Sequence, residues 1–185
     1  MKKLQLEKIS AVLALATVLS FCLAVSHGKN SPRNAVKKIA IDTAAICKDP
    51  LNTRNELISY AQKFLGTPYR FAGQDPRGFD CSGYVSYVFK HFKMDLYTSA
   101  VWMGKQGRTI ELKDAKEGDV IFFTGTNAAN RAVGHVGIII SKQGEPTRFI
   151  HCSSGRAYCV KYDTLEGSAA YYTTRFLFVK RMIED

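Results

Sequence analysis

The hydrophobic pattern changes period once along this chain, and that change bounds the fold. Between residues 53 and 105 apolar side chains recur at helical spacing. From residue 119 onward they fall in short runs rich in Val, Ile, Phe and Tyr, divided by turn residues. Leu57, Ile58, Ala61, Phe64 and Leu65 make one helical face, opened by a capping box at Thr53-Arg54-Asn55-Glu56 and stopped by Gly66. A second helix begins at Cys81, carries Tyr84, Val85, Val88, Phe89 and Phe92 as its stripe, and ends near Met94. A shorter helical stretch is predicted at Ser99–Lys105. Strands are predicted at Asp119–Thr124, His135–Ser141, Thr147–Cys152, Ala157–Tyr162 and Arg175–Lys180. Helices first and a strand meander second is an α+β domain: N-terminal helices packed on an antiparallel sheet of about five strands.

The domain is read as residues 53–185 of the 185. Residues 27–52 are poorly periodic, with Ser31-Pro32 and Asp49-Pro50 as breakers, and read as a tether. Residues 1–26 read as an export signal: Lys2, Lys3 and Lys8 precede an apolar run from Ile9 to Val25, with small residues at Ala24-Val25-Ser26. The rival is an uncleaved membrane anchor, for which the run is slightly short. Leu19-Ser20-Phe21-Cys22 resembles a lipoprotein box, although Phe21 stands where a small residue is usual. Each reading places the domain outside the cytoplasm, in the periplasm or cell envelope. Membrane attachment is expected only through an N-terminal lipid or an uncleaved signal, and a monomer is expected. The net charge is +10, but the Lys and Arg are scattered and no basic helix stands out, so nucleic acid is not an expected partner.

Cys81 sits where an irregular Gly-rich loop turns into a helix, in Gly78-Phe79-Asp80-Cys81-Ser82-Gly83. First-turn N–H groups and the helix dipole favour an anion there, which predicts a thiol lowered toward its nucleophilic thiolate. A thiolate needs a base. His27 lies in the tether and His91 lies about three turns along the same rigid helix, so His135 and His151 remain. Both fall on neighbouring predicted strands, where one imidazole can orient the other. Two structural histidines, or a zinc site built from one Cys and two His, are the alternatives. Cys152 and Cys159 flank a turn and are close enough in sequence for a hairpin disulfide, which spacing alone does not establish. No Cys-x-x-Cys is present. No metal or organic cofactor is expected.

These residues resemble the NlpC/P60 family of papain-like cell-wall cysteine peptidases. The likeness runs through Leu65-Gly66-Thr67-Pro68-Tyr69, Phe79-Asp80-Cys81-Ser82-Gly83-Tyr84-Val85, Glu117-Gly118-Asp119-Val120, Gly134-His135-Val136-Gly137-Ile138 and Phe149-Ile150-His151. The resemblance implies Cys81 as nucleophile, His135 as general base and acid, and His151 as the residue that orients it. It implies further that Tyr69 and the backbone at Cys81 and Ser82 hold the oxyanion. Asp80 and Ser82 either recognise a charged end of a stem peptide or cap the helix. Asp119 reads as support for the first strand. The implied reaction is hydrolysis of an amide in peptidoglycan peptides, at D-glutamate–diamino acid or D-alanine–diaminopimelate, through an acyl-enzyme. A wall-binding protein without activity and an acyltransferase are the alternatives. The stretch Asp95–Ala100 departs from the family, which often has Pro-Arg there.

Overall fold

The structure, a computed structural model, describes residues 49–166 and 171–185. The expected export signal with Cys22, and the tether up to residue 48, lie outside the described residues. Helix α1 spans Pro50–Gln62 and starts a turn earlier than the expected capping box. Asp49 accepts the Leu51 N–H at 3.0 Å and Pro50 takes the first helical position, where its fixed φ and missing N–H carry no penalty. The Asp49-Pro50 pair is therefore the start of the first helix rather than a break in the tether.

A two-stranded hairpin, β1 (Gln74–Asp75) and β2 (Gly78–Phe79), leads into α2 (Cys81–His91). That helix closes before the expected Met94. Lys93 takes a left-handed φ of 61°, Met94 N–H bonds Phe89 O at 3.2 Å and Lys93 N–H bonds Lys90 O at 2.9 Å. Those two bonds satisfy the last carbonyls in a Schellman turn. A four-residue helix, α3 (Ala100–Met103), follows.

The sheet has six strands rather than about five: β3 (Arg108–Ile110), β4 (Val120–Thr124), β5 (Val133–Ile139), β6 (Arg148–Cys152), β7 (Val160–Thr164) and β8 (Phe176–Arg181). Their spatial order is β3-β8-β4-β5-β6-β7, antiparallel throughout. The chain is α+β, as its pattern predicts. Strand β4 divides its side chains by the two-residue period. Val120 and Phe122 join Leu57, Tyr84, Val85, Val88 and Phe89 under the helices, whereas Ile121 and Phe123 pack with Ile139, Phe149 and Val179 on the opposite face. Each fully buried Phe or Leu of these clusters contributes on the order of 2 kcal/mol.

A buried carboxylate ties the ends of the domain together. Asp119, with no exposed surface, accepts from Arg54 at 3.3 Å and from Arg181 at 3.0 and 2.8 Å, and from the Lys116 N–H at 3.0 Å. Arg54 also bonds the carbonyls of Glu117 and Ile183. Asp119 thus supports the start of β4, as expected, and joins it to α1 and β8. No helix among the described residues is long and apolar enough to cross a membrane.

Candidate active site

The site forms where α2 meets an opening in the sheet. Strands β5 and β6 pair only at Ile138–Ile150 and Ile139–Phe149, so the early part of β5 is not laddered to β6. Cys81 opens α2 beside this region, and the backbone N–H groups of Ser82, Val136 and Cys81 itself favour its thiolate form. Two glycines make the approach tight. A Cβ on Gly83 would lie 2.0 Å from Gly73 O, so only glycine lets the first turn of α2 sit on the preceding loop. A Cβ on Gly137 would lie 3.1 Å from the His151 Cβ, so that glycine leaves room for the second histidine.

His135 and His151 lie on the face of the sheet away from the helices, among Phe123, Phe149 and Tyr172. His135 Nε2 is 2.7 Å from His151 Nδ1. His151 Nε2 is 2.9 Å from Asp163 Oδ2. The Tyr172 hydroxyl donates to the same carboxylate oxygen at 3.0 Å, and Lys161 Nζ holds the other at 3.0 Å. The structure brings His135 and His151 together, as the sequence reading expects, and adds Asp163 and Tyr172, which that reading misses. The predicted strand stopped at Tyr162, one residue short. In the observed register His151 faces Lys161 and Phe149 faces Asp163, which makes Asp163 the diagonal neighbour of His151 on one face.

Protonation follows from that chain. Although burial pushes its carboxyl upward, hydrogen bonds from His151, Lys161 and Tyr172 hold Asp163 down at about 2, so it is an acceptor. His151 must then donate from Nε2 and accept at Nδ1, and His135 must donate from Nε2. The lone pair left on His135 is at Nδ1. Burial first, then repulsion from His151 and Arg175, holds His135 well below the ordinary histidine value, and burial lowers His151 as well. Both rings are neutral.

The expected thiolate is not found. Burial, and next the Asp80 charge, push the Cys81 thiol up to about 11 against the pull of the backbone N–H groups. Desolvation outweighs the helix start, so the cysteine rests as a thiol. Among the described residues no hydrogen bond joins Cys81 to His135.

Asp80 is the N-cap of α2, accepting the Gly83 N–H at 2.6 Å, and the buried Ser82 hydroxyl lies 3.0 Å from Asp80 Oδ1 and 2.8 Å from Thr98 O. Both side chains are occupied in shaping the turn that carries Cys81. Tyr69 is half-buried, and its hydroxyl is kept protonated by burial and then by the proximity of Cys81 and Asp80. Its backbone bridges to Phe79, two residues before Cys81, and its protonated hydroxyl is a donor. Cys152 and Cys159 are free thiols: Cys152 pairs with Val160, which leaves Cys159 one residue out of register. Cys152 is fully buried against Phe79 O at 3.1 Å. Among the described residues no group of three or more His, Cys, Asp and Glu is placed to hold a metal ion.

Comparison with known proteins agrees with this geometry. The model of the NlpC/P60 family matches residues 66–181. The probable endopeptidase NlpC of Escherichia coli is 31% identical over 146 residues, covering 78% of this chain and 82% of that protein. The gamma-DL-glutamyl hydrolase of Bacillus subtilis is 32% identical over 124 residues, covering 66% of this chain but only 29% of its own length. The crystal structure of the NlpC/p60 domain of the peptidoglycan hydrolase SagA superposes with a TM-score of 0.57 at 28% identity, over 70% of this chain and 98% of that one. This chain belongs to the NlpC/P60 family of cysteine peptidases.

Proposed function

We propose that this protein is an exported cysteine endopeptidase that cleaves an amide bond in peptidoglycan peptides, with Cys81 as nucleophile and His135 as base. The observation that carries the proposal is the continuous hydrogen-bonded chain His135–His151–Asp163, which fixes one tautomer and leaves His135 Nδ1 as the free acceptor.

Catalysis starts from a neutral pair. As substrate excludes water, the Cys81 sulfur attacks the scissile carbonyl carbon while His135 Nδ1 takes the thiol proton. The imidazolium that forms is stabilised through His151 by the Asp163 carboxylate. Negative charge develops on the carbonyl oxygen, toward which the Tyr69 hydroxyl and the N–H groups at the start of α2 are the available donors. Collapse breaks the C–N bond, and His135 returns its proton to the leaving amine. Water then attacks the thioester and gives its proton to His135; the C–S bond breaks, His135 returns that proton to the Cys81 sulfur, and the acid is released. Two carboxamide bonds fit the reading, D-glutamate–diamino acid and D-alanine–diaminopimelate. The name of another Bacillus subtilis relative, gamma-D-glutamyl-L-lysine dipeptidyl-peptidase, 34% identical over 88 residues, supports the first. The apolar leader Ile9–Val25 supports export to where that substrate lies.

The test is mass spectrometry of fragments released from purified peptidoglycan by the full chain, beside its Cys81→Ala variant. Peptides released by the wild type alone support the proposal, and their masses name the bond. Sedimentation of both proteins with the wall and no release supports a binding protein instead.

A further inference from the structure

We propose that Tyr158 is a wall of the substrate cleft, its exposed ring held in place to grip the peptide beside the scissile amide. This rests on the peptidase reading above. Three non-glycine residues among those described have a left-handed φ: Ala72 at 54°, Lys93 at 61° and Tyr158 at 51°. Local turns account for the first two. Ala72 is a small residue at the third position of a turn closed by Gly73 N–H to Arg70 O at 2.9 Å, and Lys93 ends α2 in its Schellman turn.

Tyr158 also follows a turn, closed by its own N–H to Gly155 O at 2.9 Å, at a place where glycine is usual. Left-handed backbone crowds Cβ, and a bulky aromatic there is a genuine outlier. Burial does not offset that cost, because Tyr158 is 55% exposed. What the conformation achieves is placement. The Tyr158 carbonyl accepts the Tyr69 N–H at 2.8 Å, and the two rings stand 5.0 Å apart at 58°. Tyr69 bridges to Phe79, and its neighbours Pro68 and Arg70 exchange backbone hydrogen bonds with that residue, two positions before Cys81. An outlying backbone that holds a half-exposed aromatic against an active-site residue is the pattern of a ligand clamp. A rigid tyrosine offers broad contact to the aliphatic and amide surfaces of a peptide at small entropic cost.

Glycine fits the left-handed backbone without strain and removes the ring, whereas phenylalanine keeps the ring and the strain. Binding is read by calorimetry in the full-length Cys81→Ala protein, with the tetrapeptide L-Ala-γ-D-Glu-meso-diaminopimelate-D-Ala as probe. Tyr158→Gly is expected to lower affinity about tenfold and Tyr158→Phe to leave it unchanged, the loss typical of a contact aromatic. In the active chain Tyr158→Gly raises KM by a similar factor, with kcat and the rate of Cys81 alkylation by iodoacetamide held. Its melting temperature equals or exceeds that of the parent, since strain is relieved. Unchanged affinity overturns the proposal, as does a parent that fails to bind the tetrapeptide. A lower melting temperature with a parallel loss of alkylation also overturns it, because Tyr158 then only buttresses Tyr69. An active chain that hydrolyses nothing defeats the peptidase reading, while the affinities measured on Cys81→Ala still decide the role of Tyr158.

Discussion

Asp163 and His151 meet diagonally across strands β6 and β7, and their 2.9 Å hydrogen bond sets the direction of every proton between the carboxylate and His135. Replacing Asp163 by Asn leaves the shape but offers an amide that can donate to His151 and invert its tautomer. We expect kcat/KM to fall by about ten- to a hundredfold with KM little changed, as for partners that orient a catalytic histidine. Tyr172→Phe, which removes only the second donor to that oxygen, costs less. Steady-state kinetics that leave Asp163→Asn within twofold of wild type would show that the carboxylate does not set the tautomer.

Neutral Cys81 and neutral His135 give a characteristic pH response. The rate of iodoacetamide alkylation of Cys81 should keep rising with pH toward about 11, with no plateau from the acid side. In contrast kcat/KM should rise through an apparent pKa below the ordinary histidine value of 6.5, because His135 resists protonation. A plateau of alkylation already reached at pH 5 would mean a resting thiolate–imidazolium pair.

Stability follows the same groups. The unfolded chain protonates both histidines near 6.5 while the folded chain keeps them neutral, so the unfolded state binds more protons below that pH. Their contribution is complete above 6.5 and declines as pH falls below it. Asp163 acts lower: its contribution is complete above the ordinary 3.8 and is lost as pH falls through about 2. Urea midpoints should therefore drop between pH 7.5 and 5.5, and equal midpoints would contradict the buried neutral pair.

Asp119→Ala should destabilise the domain by about 3–5 kcal/mol, because it leaves the buried Arg54 and Arg181 only the exposed Asp185 at 3.4 Å as a carboxylate partner. Urea unfolding measures it. A loss below about 1 kcal/mol would mean that the arginines find water at no cost.

Gly83→Ala should abolish activity, since its Cβ would stand 2.0 Å from Gly73 O and force α2, with Cys81, off the loop. Gly125→Ala, where nothing lies within 4 Å of the added Cβ, is the control and should keep wild-type turnover.

The candidate cysteine and both candidate histidines could be picked out because each sits in a short motif tied to one kind of backbone. Cys81 opens a helix with a clear apolar stripe, and His135 lies between glycines that permit close approach. Asp163 was not legible, because its role comes from register between two strands, and no local pattern distinguishes a diagonal neighbour from a surface carboxylate. The early start of α1 was missed because Asp-Pro reads equally as a break or as an N-cap. Strand β3 carries only Ile110 as a buried residue in three, so it has no alternation to detect. The state of the thiol was misjudged for a different reason: helix position is written in sequence, whereas the depth to which the sulfur is buried is not.

Strand β8 lies between β3 and β4, although it follows them by more than fifty residues. Arg181, at its end, supplies two of the bonds to Asp119. The sheet cannot close around β4 until that late segment has been made. During synthesis the cysteine, both histidines and Asp163 all exist in the chain before the scaffold that aligns them. Assembly of the candidate site thus waits on the last stretch of the described chain.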